Sequence, residues 1–498
     1  MPRLSLMPRL PAATTASLPR TERPARRAAS VRTVALIVAS AMFMEQMDGT
    51  VLATALPTMA RSLHTDPLHM NVALTSYLLS LAVFIPASGK VADRFGARGV
   101  FRAAIALFTL GSVLCAQAPS LPFLVAARIL QGIGGAMMVP VGRLVLLRSS
   151  SKAELVTAMA WLQVPSTIGP ILGPPIGGFI VTYFDWRWIF YINLPVGILG
   201  VVLVSRYIED VRETGRVRFD FTGMALSGVA LASLMWGIEM ASRGFGSRAA
   251  ALALVAVGAT AAVLYRRHAR HHPQPVLNFR LMRIPTFRIS VLAGTCSRIV
   301  VGAVPFLLPM MLQLGFGMSA AASGLITFSS AAGSLAMKAV APRVLRRIGF
   351  RNTMVWVGLA GTLFAGAIAF FRPDWPIALI YGVLLVGGFL QSLQFMAYNT
   401  IAYADVPRGQ MSAATSFYTT FQQLALSLGI AISAASLAFS SALRGHATLR
   451  LDDFTCAFLV VGTVALMAPL LSVGMKPDAG DELSGHRGGT PVRRAPHG

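Results

Sequence analysis

The chain has 498 residues, of which 55% are hydrophobic and only 12% charged, and its 43 basic and 19 acidic residues give a net charge of +24. Ordinary soluble domains carry roughly 25% charged residues, so this composition excludes a soluble protein and indicates an all-α integral membrane protein. Such a positive charge is also typical of nucleic-acid binding. Here, however, the basic residues cluster in alternate loops between apolar runs, as the positive-inside rule describes. We therefore expect a lipid bilayer as partner and no nucleic acid.

Residues 1–32 are rich in Pro, Arg, Ser and Ala, which predicts a disordered cytoplasmic tail. About fourteen apolar runs follow, each long enough to cross a bilayer core of roughly 30 Å as a helix. An even number of spans places both termini on one side, and the basic tail and even-numbered loops make that side cytoplasmic. The predicted spans lie near 33–57, 71–92, 99–118, 122–147, 154–181, 186–206, 221–241, 249–266, 286–313, 319–340, 353–371, 376–398, 410–439 and 454–474.

Two short sequence matches indicate an internal repeat. Leu56-Pro57 near the end of the first span corresponds to Leu308-Pro309 in the ninth, and the stretch 94–98 corresponds to 347–351, both at an offset of about 252 residues. The repeat predicts two six-helix halves, 33–206 and 284–475, with a helix pair inserted over 207–283 and a cytoplasmic tail over 476–498. Transporters built from repeated halves place the substrate path between them.

Charged residues inside spans are costly and are functional candidates by default. Glu45 and Asp48 are three residues apart in the first span, so they share one helix face. Acids inside a membrane span are typical of proton relays, so these two are candidates to take up and release protons. Arg128 lies inside the fourth span on one face with Gln131, and a guanidinium stays charged in proteins. Arg128 therefore cannot itself carry the proton, but it can change the protonation of a neighbouring acid as it moves toward or away from that acid. The alternative for the two acids is a fixed carboxylate that pairs with an arginine and locks two helices, and the alternative for Arg128 is a snorkelling arginine without function.

Arg298, in the ninth span, falls at the depth of Gln46 under the repeat offset. This predicts that Arg298 faces Glu45 and Asp48 across a central cavity and helps to set their protonation. A local helix-locking charge is the alternative. For the substrate cavity itself, we assign Thr50 and Gln131.

Two stretches predict close backbone approach. Between the second and third spans, Gly89–Arg98 combines glycines with Asp93 and three bases, as a tight turn at the water boundary requires. In the fifth span, glycines at spacing four form a flat packing face, and prolines bend the helix. Asp220 is expected to cap the seventh span, with His268, His271 and His272 solvated and the three cysteines free.

These stretches resemble motifs of the major facilitator superfamily, and in particular of its fourteen-helix drug:proton antiporters, a subgroup of multidrug-resistance proteins. The first span resembles D-x-T-I-V-N-x-A-L-P, the fourth R-x-x-Q-G, and the fifth G-x-x-x-G-P-x-x-G-G. The loop residues Gly89, Asp93, Arg94, Gly96 and Arg98 resemble G-x-L-A-D-R-x-G-R-R. The fifth-span motif corresponds to Gly169, Gly173, Pro174, Gly177 and Gly178.

The resemblance implies alternating access, with efflux of small lipophilic compounds in exchange for protons across the inner membrane. Asp48, with Glu45, is then the proton site, Arg128 its modulator, the loop a conformational latch, and the fifth span a mark of export. We expect the carrier to be a monomer and to need no cofactor or metal. A carrier of one metabolite, such as an amino acid, sugar or siderophore, is the alternative. A membrane-embedded enzyme would need convergent catalytic groups, which the sequence does not show.

Overall fold

The structure is a computed structural model that describes residues 30–149, 155–208, 220–243, 247–273, 275–407, 410–446 and 448–480. Within these ranges it is helical and contains no strand. Each of the fourteen predicted spans coincides with a helical segment, so the predicted fold class is confirmed. The segments are α1 Val31–Ser62, α2 Asn71–Phe95, α3 Ala97–Ala116, α4 Leu121–Ser149, α5 Leu155–Tyr183, α6 Trp188–Tyr207, α7 Phe221–Arg243, α8 Arg248–His271, α9 Pro285–Gly315, α10 Ala320–Ile348, α11 Phe350–Phe370, α12 Ile377–Ile401, α13 Met411–Arg444 and α14 Leu451–Ser472.

Over the residues that the structure describes, twelve of these segments are long and apolar enough to cross a membrane, and α5 and α7 contain the further apolar stretches Ile168–Tyr183 and Phe221–Gly237. Large apolar side chains remain exposed on the outer faces, for example Leu252, Phe439 and Leu443 at 68 to 75%. Exposed apolar surface on this scale requires an apolar solvent. The chain is therefore a multi-pass membrane protein.

The first six and last six helices repeat one packing pattern. In the first set α1 packs on α5 and α6, and α4 on α2 and α3; in the last set α9 packs on α13 and α14, and α12 on α10 and α11. The second and third helices of each set are joined by one glycine with positive φ, Gly96 at +88° and Gly349 at +79°. Only glycine adopts such φ values without strain, so these positions explain the repeated sequence match.

Contacts between the two sets of six run along two seams. Helix α5 packs on α10, and α2 packs on α13. The inserted helices α7 and α8 pack mainly on each other, while α7 also contacts α2 and α13. The inserted pair therefore lies beside the second seam.

The hydrophobic core shows which ends of the two sets are joined. One cluster joins the C-terminal half of α1, from Met47 to Ala60, to α9 residues from Ile299 to Leu312. At the end where α1 begins, the core separates into a cluster of the first set alone and clusters formed by the last set and the inserted pair. The two sets are thus closed at the face where α1 ends, here called the closed face, and separated at the face where it begins, here called the open face.

Candidate proton-coupling site

The predicted acid on α1 and the predicted arginine on α4 form a buried ion pair. Arg128 Nη1 lies 2.5 Å from Asp48 Oδ2, and the two side chains are 0% and 1% exposed. Burying two charges in the interior is costly unless each is paired and hydrogen-bonded. This pair meets that condition through the additional hydrogen bonds of its two members.

Three further polar side chains complete the Asp48 cluster, which we define as Asp48, Ser112, Arg128, Gln131 and Asn193. Gln131 Nε2 and Asn193 Nδ2 donate to Asp48 Oδ1 at 2.9 and 3.0 Å. Arg128 Nη1 also donates to Gln131 Oε1 at 2.6 Å, and Gln131 Nε2 donates to Ser112 Oγ at 2.7 Å. Side chains from four helices of the first set, α1, α3, α4 and α6, therefore meet in one polar cluster around the Asp48 carboxylate.

Helix α2 fixes the orientation of the guanidinium. Arg128 Nε donates to the carbonyl oxygen of Ala73 at 3.1 Å, and its Cζ lies 4.1 Å from the ring centroid of Tyr77. Among the described residues, Arg128 Nη2 and the Tyr77 hydroxyl have no hydrogen-bond partner. The guanidinium is therefore held on one side and keeps one unused donor.

Glu45 lies one helical turn before Asp48 and is also buried, with 6% of its surface exposed. Its Oε2 has no hydrogen-bond partner within the described structure. The cation whose charge acts on it is Arg143 of α4, which is exposed. A buried carboxyl oxygen that lacks a donor is better suited to carry a proton than a charge.

Arg298 of α9 binds residues of the last six helices. Its Nη2 donates to the Tyr418 hydroxyl at 2.5 Å and to Asn399 Oδ1 at 3.2 Å, and its Cζ lies 5.0 Å from the Phe395 ring centroid. These partners belong to α12 and α13, so Arg298 is held within the last six helices. Its described hydrogen bonds go to these two helices and not to α1, and its influence on Glu45 and Asp48 across a central cavity stays a prediction.

The glycines of α5 lie against the helix that carries both acids. A Cβ on Gly169 would lie 3.1 Å from the Phe43 carbonyl oxygen, and one on Gly177 would lie 2.8 Å from the Val51 carbonyl oxygen. Gly178 and Pro174 contact the start of α10, in the other set of six. This motif therefore packs α5 between the acid-bearing helix and the opposite half.

Comparison with known families decides the identification. The Major Facilitator Superfamily profile matches residues 38–430. The chain belongs to the Major Facilitator Superfamily.

Relatives within this superfamily are found in several enterobacteria. A protein of Serratia proteamaculans described as "Putative multidrug resistance protein MdtD" is 40% identical over 413 residues, which cover 82% of this chain and 85% of the relative. The protein of that name from Cronobacter sakazakii is 39% identical over 453 residues, covering 89% and 93%.

Solved structures of low identity share the fold. A D-xylose-proton symporter matches with a TM-score of 0.64 at 16% identity, over 90% of this chain and 98% of that chain. A POT family transporter matches with a TM-score of 0.63 at 14% identity, over 89% and 94%. These similarities support the superfamily fold alone.

The superfamily loop between α2 and α3 is shorter than the sequence predicted. Helix α2 continues to Phe95 and α3 begins at Ala97, so Gly96 alone forms the turn. Gly89 lies within α2 with open space around it, and Arg94 is exposed. Arg98 Nη2 donates to the Ser205 carbonyl oxygen at the end of α6. The Asp93 side chain lies outside the described part of the structure, so its latch role stays a prediction.

The two residues assigned to a substrate cavity are placed differently from that expectation. Gln131 is 0% exposed and binds Asp48, Arg128 and Ser112 within the cluster. Thr50 is half-buried, and its hydroxyl donates to the Met47 carbonyl oxygen at 3.0 Å. Gln131 therefore belongs to the Asp48 cluster, while Thr50 packs against Gly173.

A second polar group lies at the start of the inserted pair. Asp220 caps α7 as predicted, accepting from the Gly223 N–H at 2.8 Å, but His268 also donates to it at 2.6 Å instead of being solvated. Burial raises the pKa of Asp220, but the Gly223 N–H and the two histidines His268 and His272 outweigh it and lower the pKa below its ordinary value. Asp220, His268 and His272 each offer one possible metal-ligand atom, and these three atoms lie within 4.8 Å of one another. Because the carboxylate already has its donors, we interpret the group as a cap.

Proposed function

We propose that this chain is a proton-coupled efflux carrier of small lipophilic compounds that works by alternating access. The observation that carries the proposal is the buried pair of Asp48 and Arg128 inside membrane-spanning helices. An intramembrane ion pair is expensive, and such residues mark ion paths and proton relays. The relatives described as multidrug resistance proteins support the drug-exporting direction.

The cluster geometry supports a proton exchange at Asp48. When Asp48 is ionised, Arg128, Gln131 and Asn193 donate three hydrogen bonds to its carboxylate, and no proton is needed. When Asp48 is protonated, its attraction for Arg128 falls, and the guanidinium can turn to other acceptors. In the proposal, that exchange links protonation to the packing of α1 against α4 and α5.

The arrangement of the two halves supports alternating access. They are joined at the closed face and separated at the open face, as expected for one of two alternating states. In the proposal the open face is cytoplasmic, both termini lie there, and the protein resides in the inner membrane. The carrier is a monomer, catalyses no covalent step and uses the proton gradient without cofactor or metal.

The test uses inverted membrane vesicles acidified by respiration, with wild type compared against Asp48→Asn. Lipophilic cations, dyes and antibiotics are added while the lumenal pH is followed. We expect some compounds to collapse the acidity in wild type and none to do so in the variant. Collapse in both would retain antiport but move the proton site, with Glu45→Gln as the next variant. A wild type that responds to no compound would contradict the proposal and favour a carrier of one metabolite.

A further inference from the structure

A cavity of about 360 Å³ lies beside the inserted helix pair, away from the Asp48 cluster. Its walls come from α2 and α4 of the first six helices, α7 and α8 of the inserted pair, and α13 of the last six. Representative lining residues are Ser80, Val83, Gly228, Trp236 and Ser427. The cavity is therefore the place where the two halves and the inserted pair all meet, and its volume falls in the range of small-molecule sites.

The lining chemistry defines the class of ligand. None of the described lining residues carries a charge; eight have apolar side chains, five are serine or threonine and one is glycine. Among these hydroxyl groups, that of Ser427 is fully buried and has no hydrogen-bond partner among the described residues. The Ser80 hydroxyl, in contrast, already donates to the Ile129 carbonyl oxygen at 2.9 Å. A buried hydroxyl without a partner needs an acceptor, which a ligand in the cavity can supply.

The lipid provides the route to this cavity. Trp236 lines it and is 42% exposed, while Val229, on the same helix but outside the lining, is 47% exposed on the outer surface. This exposed apolar surface of α7 offers a molecule dissolved in the bilayer an entry that avoids the aqueous path between the halves. A charged molecule would lose its hydration with no compensating charge in the lining.

The cavity is one helix away from the proton-coupling site. Its α2 wall is the same segment whose Ala73 carbonyl and Tyr77 ring hold Arg128. Its α13 wall belongs to the opposite half, across a seam that must change during alternating access. A ligand bound to both walls cannot bind both states equally, and differential affinity is what shifts a conformational equilibrium.

We infer that this cavity is a binding site for a neutral, lipophilic compound with a hydrogen-bond acceptor that enters from the bilayer, and that its occupation favours the conformation described above. The acceptor binds the Ser427 hydroxyl, and the apolar body contacts Val83 and Trp236. The site is separate from the path between the halves. It does not depend on the proposed efflux function, since binding can be measured without transport.

The test uses the full chain in lipid nanodiscs and benzophenone as the probe, because it is neutral, lipophilic, carries a carbonyl acceptor and crosslinks to nearby C–H bonds on irradiation. We expect saturable labelling of peptides from α2 and α7 lining the cavity. Ala232→Phe fills the cavity and should abolish this labelling, whereas Val229→Phe adds the same ring to the lipid-facing side of α7 and should leave it unchanged.

A conservative variant guards against misfolding of the filled protein. Ser427→Ala removes one hydroxyl, and we expect apparent affinity to fall about fivefold, as for one lost hydrogen bond. Wild type should also gain thermal stability with rising benzophenone, as a ligand of the folded state requires. Non-saturable labelling spread over all lipid-facing helices, or labelling unchanged in both Ala232→Phe and Ser427→Ala, would overturn the inference. Either result would leave the proton-coupling test untouched.

Discussion

At the scale of single residues, the intramembrane charges were the informative part of the sequence. Asp48 and Arg128 were predicted from their cost inside spans, and the structure places them in contact. Asn193 and Ser112 were not predicted, because neutral polar residues inside a span carry no comparable cost and are common. The signal for Asn193 was its amide inside an apolar run, and only the packing of α6 on α1 shows which acid it binds.

The geometry of Arg128 predicts that charge alone is insufficient. Its guanidinium reaches Asp48, Gln131 and the Ala73 carbonyl oxygen through two different nitrogens. Lysine offers a single compact ammonium and cannot reproduce that fork. We expect Arg128→Lys to reduce proton-driven transport about tenfold or more in the vesicle assay while the protein still folds. Arg102→Lys, at an exposed position of α3 with no assigned role, is the matched control, and equal transport by both variants would show that Arg128 acts only as a point charge.

Asp220 predicts a pH dependence outside the membrane-spanning segments. Its pKa is lowered in the folded protein, because donors from Gly223 and His268 and the nearby His272 outweigh the effect of burial. A lowered native pKa stabilises the fold above the ordinary carboxyl pKa of about 4, and that contribution is lost as the pH falls through the native value. We expect Asp220→Asn to lower the thermal unfolding temperature at pH 7, with the difference from wild type shrinking below about pH 4.

The control for that measurement is Asp452→Asn, because Asp452 is exposed and its only described ion pair is a long contact with Arg444 at 3.9 Å. It should unfold at the wild-type temperature throughout. A difference between Asp220→Asn and wild type that stays constant down to acid pH would mean that shape, and not charge, accounts for the effect.

At the scale of helices, the sequence determined more than it did for the site. Apolar runs predicted all fourteen segments, since a bilayer leaves helices as the only spanning structure for such runs. The sequence could not give the helix ends at Phe95 and Ala97, because charged residues continue a helix beyond the membrane as readily as they form a loop. Gly96 alone marks that turn, through its positive φ.

The glycines of α5 predict an effect on both packing and transport. A Cβ at Gly177 would lie 2.8 Å from the Val51 carbonyl oxygen and 3.1 Å from its Cα. Backbone atoms cannot turn aside as a side chain can, so α5 must move away from α1. We expect Gly177→Ala to lower the unfolding temperature and to impair transport.

Gly382→Ala is the matched control, because Gly382 also lies inside a helix but has no neighbour within 4 Å of an added Cβ. Alanine there should be neutral or stabilising by about 0.5–1 kcal/mol, the usual gain of Ala over Gly in a helix. If both variants behave alike, the close approach of α5 to α1 has no functional weight.

At the scale of the whole molecule, the internal offset of 252 residues predicted that the halves would pack alike, and they do. The offset could not give Asn399 and Tyr418 as the hydrogen-bond partners of Arg298, because a repeated backbone does not repeat the side chains that surround it. The sequence also could not predict which residues of the two halves contact each other. Among the described residues, two hydrogen bonds join the halves at the closed face: Gln313 Nε2 donates to the Thr54 carbonyl oxygen, and the Ala321 N–H donates to Thr182 Oγ1, both at 3.0 Å.

The second of these bonds gives a direct test of alternating access. Thr182 on α5 and Ala321 on α10 are joined by this hydrogen bond, so we expect cysteines at the two positions to come close enough for a disulfide. We expect Thr182→Cys/Ala321→Cys, with Cys115, Cys296 and Cys456 replaced by alanine, to crosslink on mild oxidation and to lose transport, which a reductant restores. Each single-cysteine variant should transport normally under the same oxidant. A crosslinked protein that still transports would show that the closed face need not open, and the two halves would then have to exchange protons and substrate without separating there.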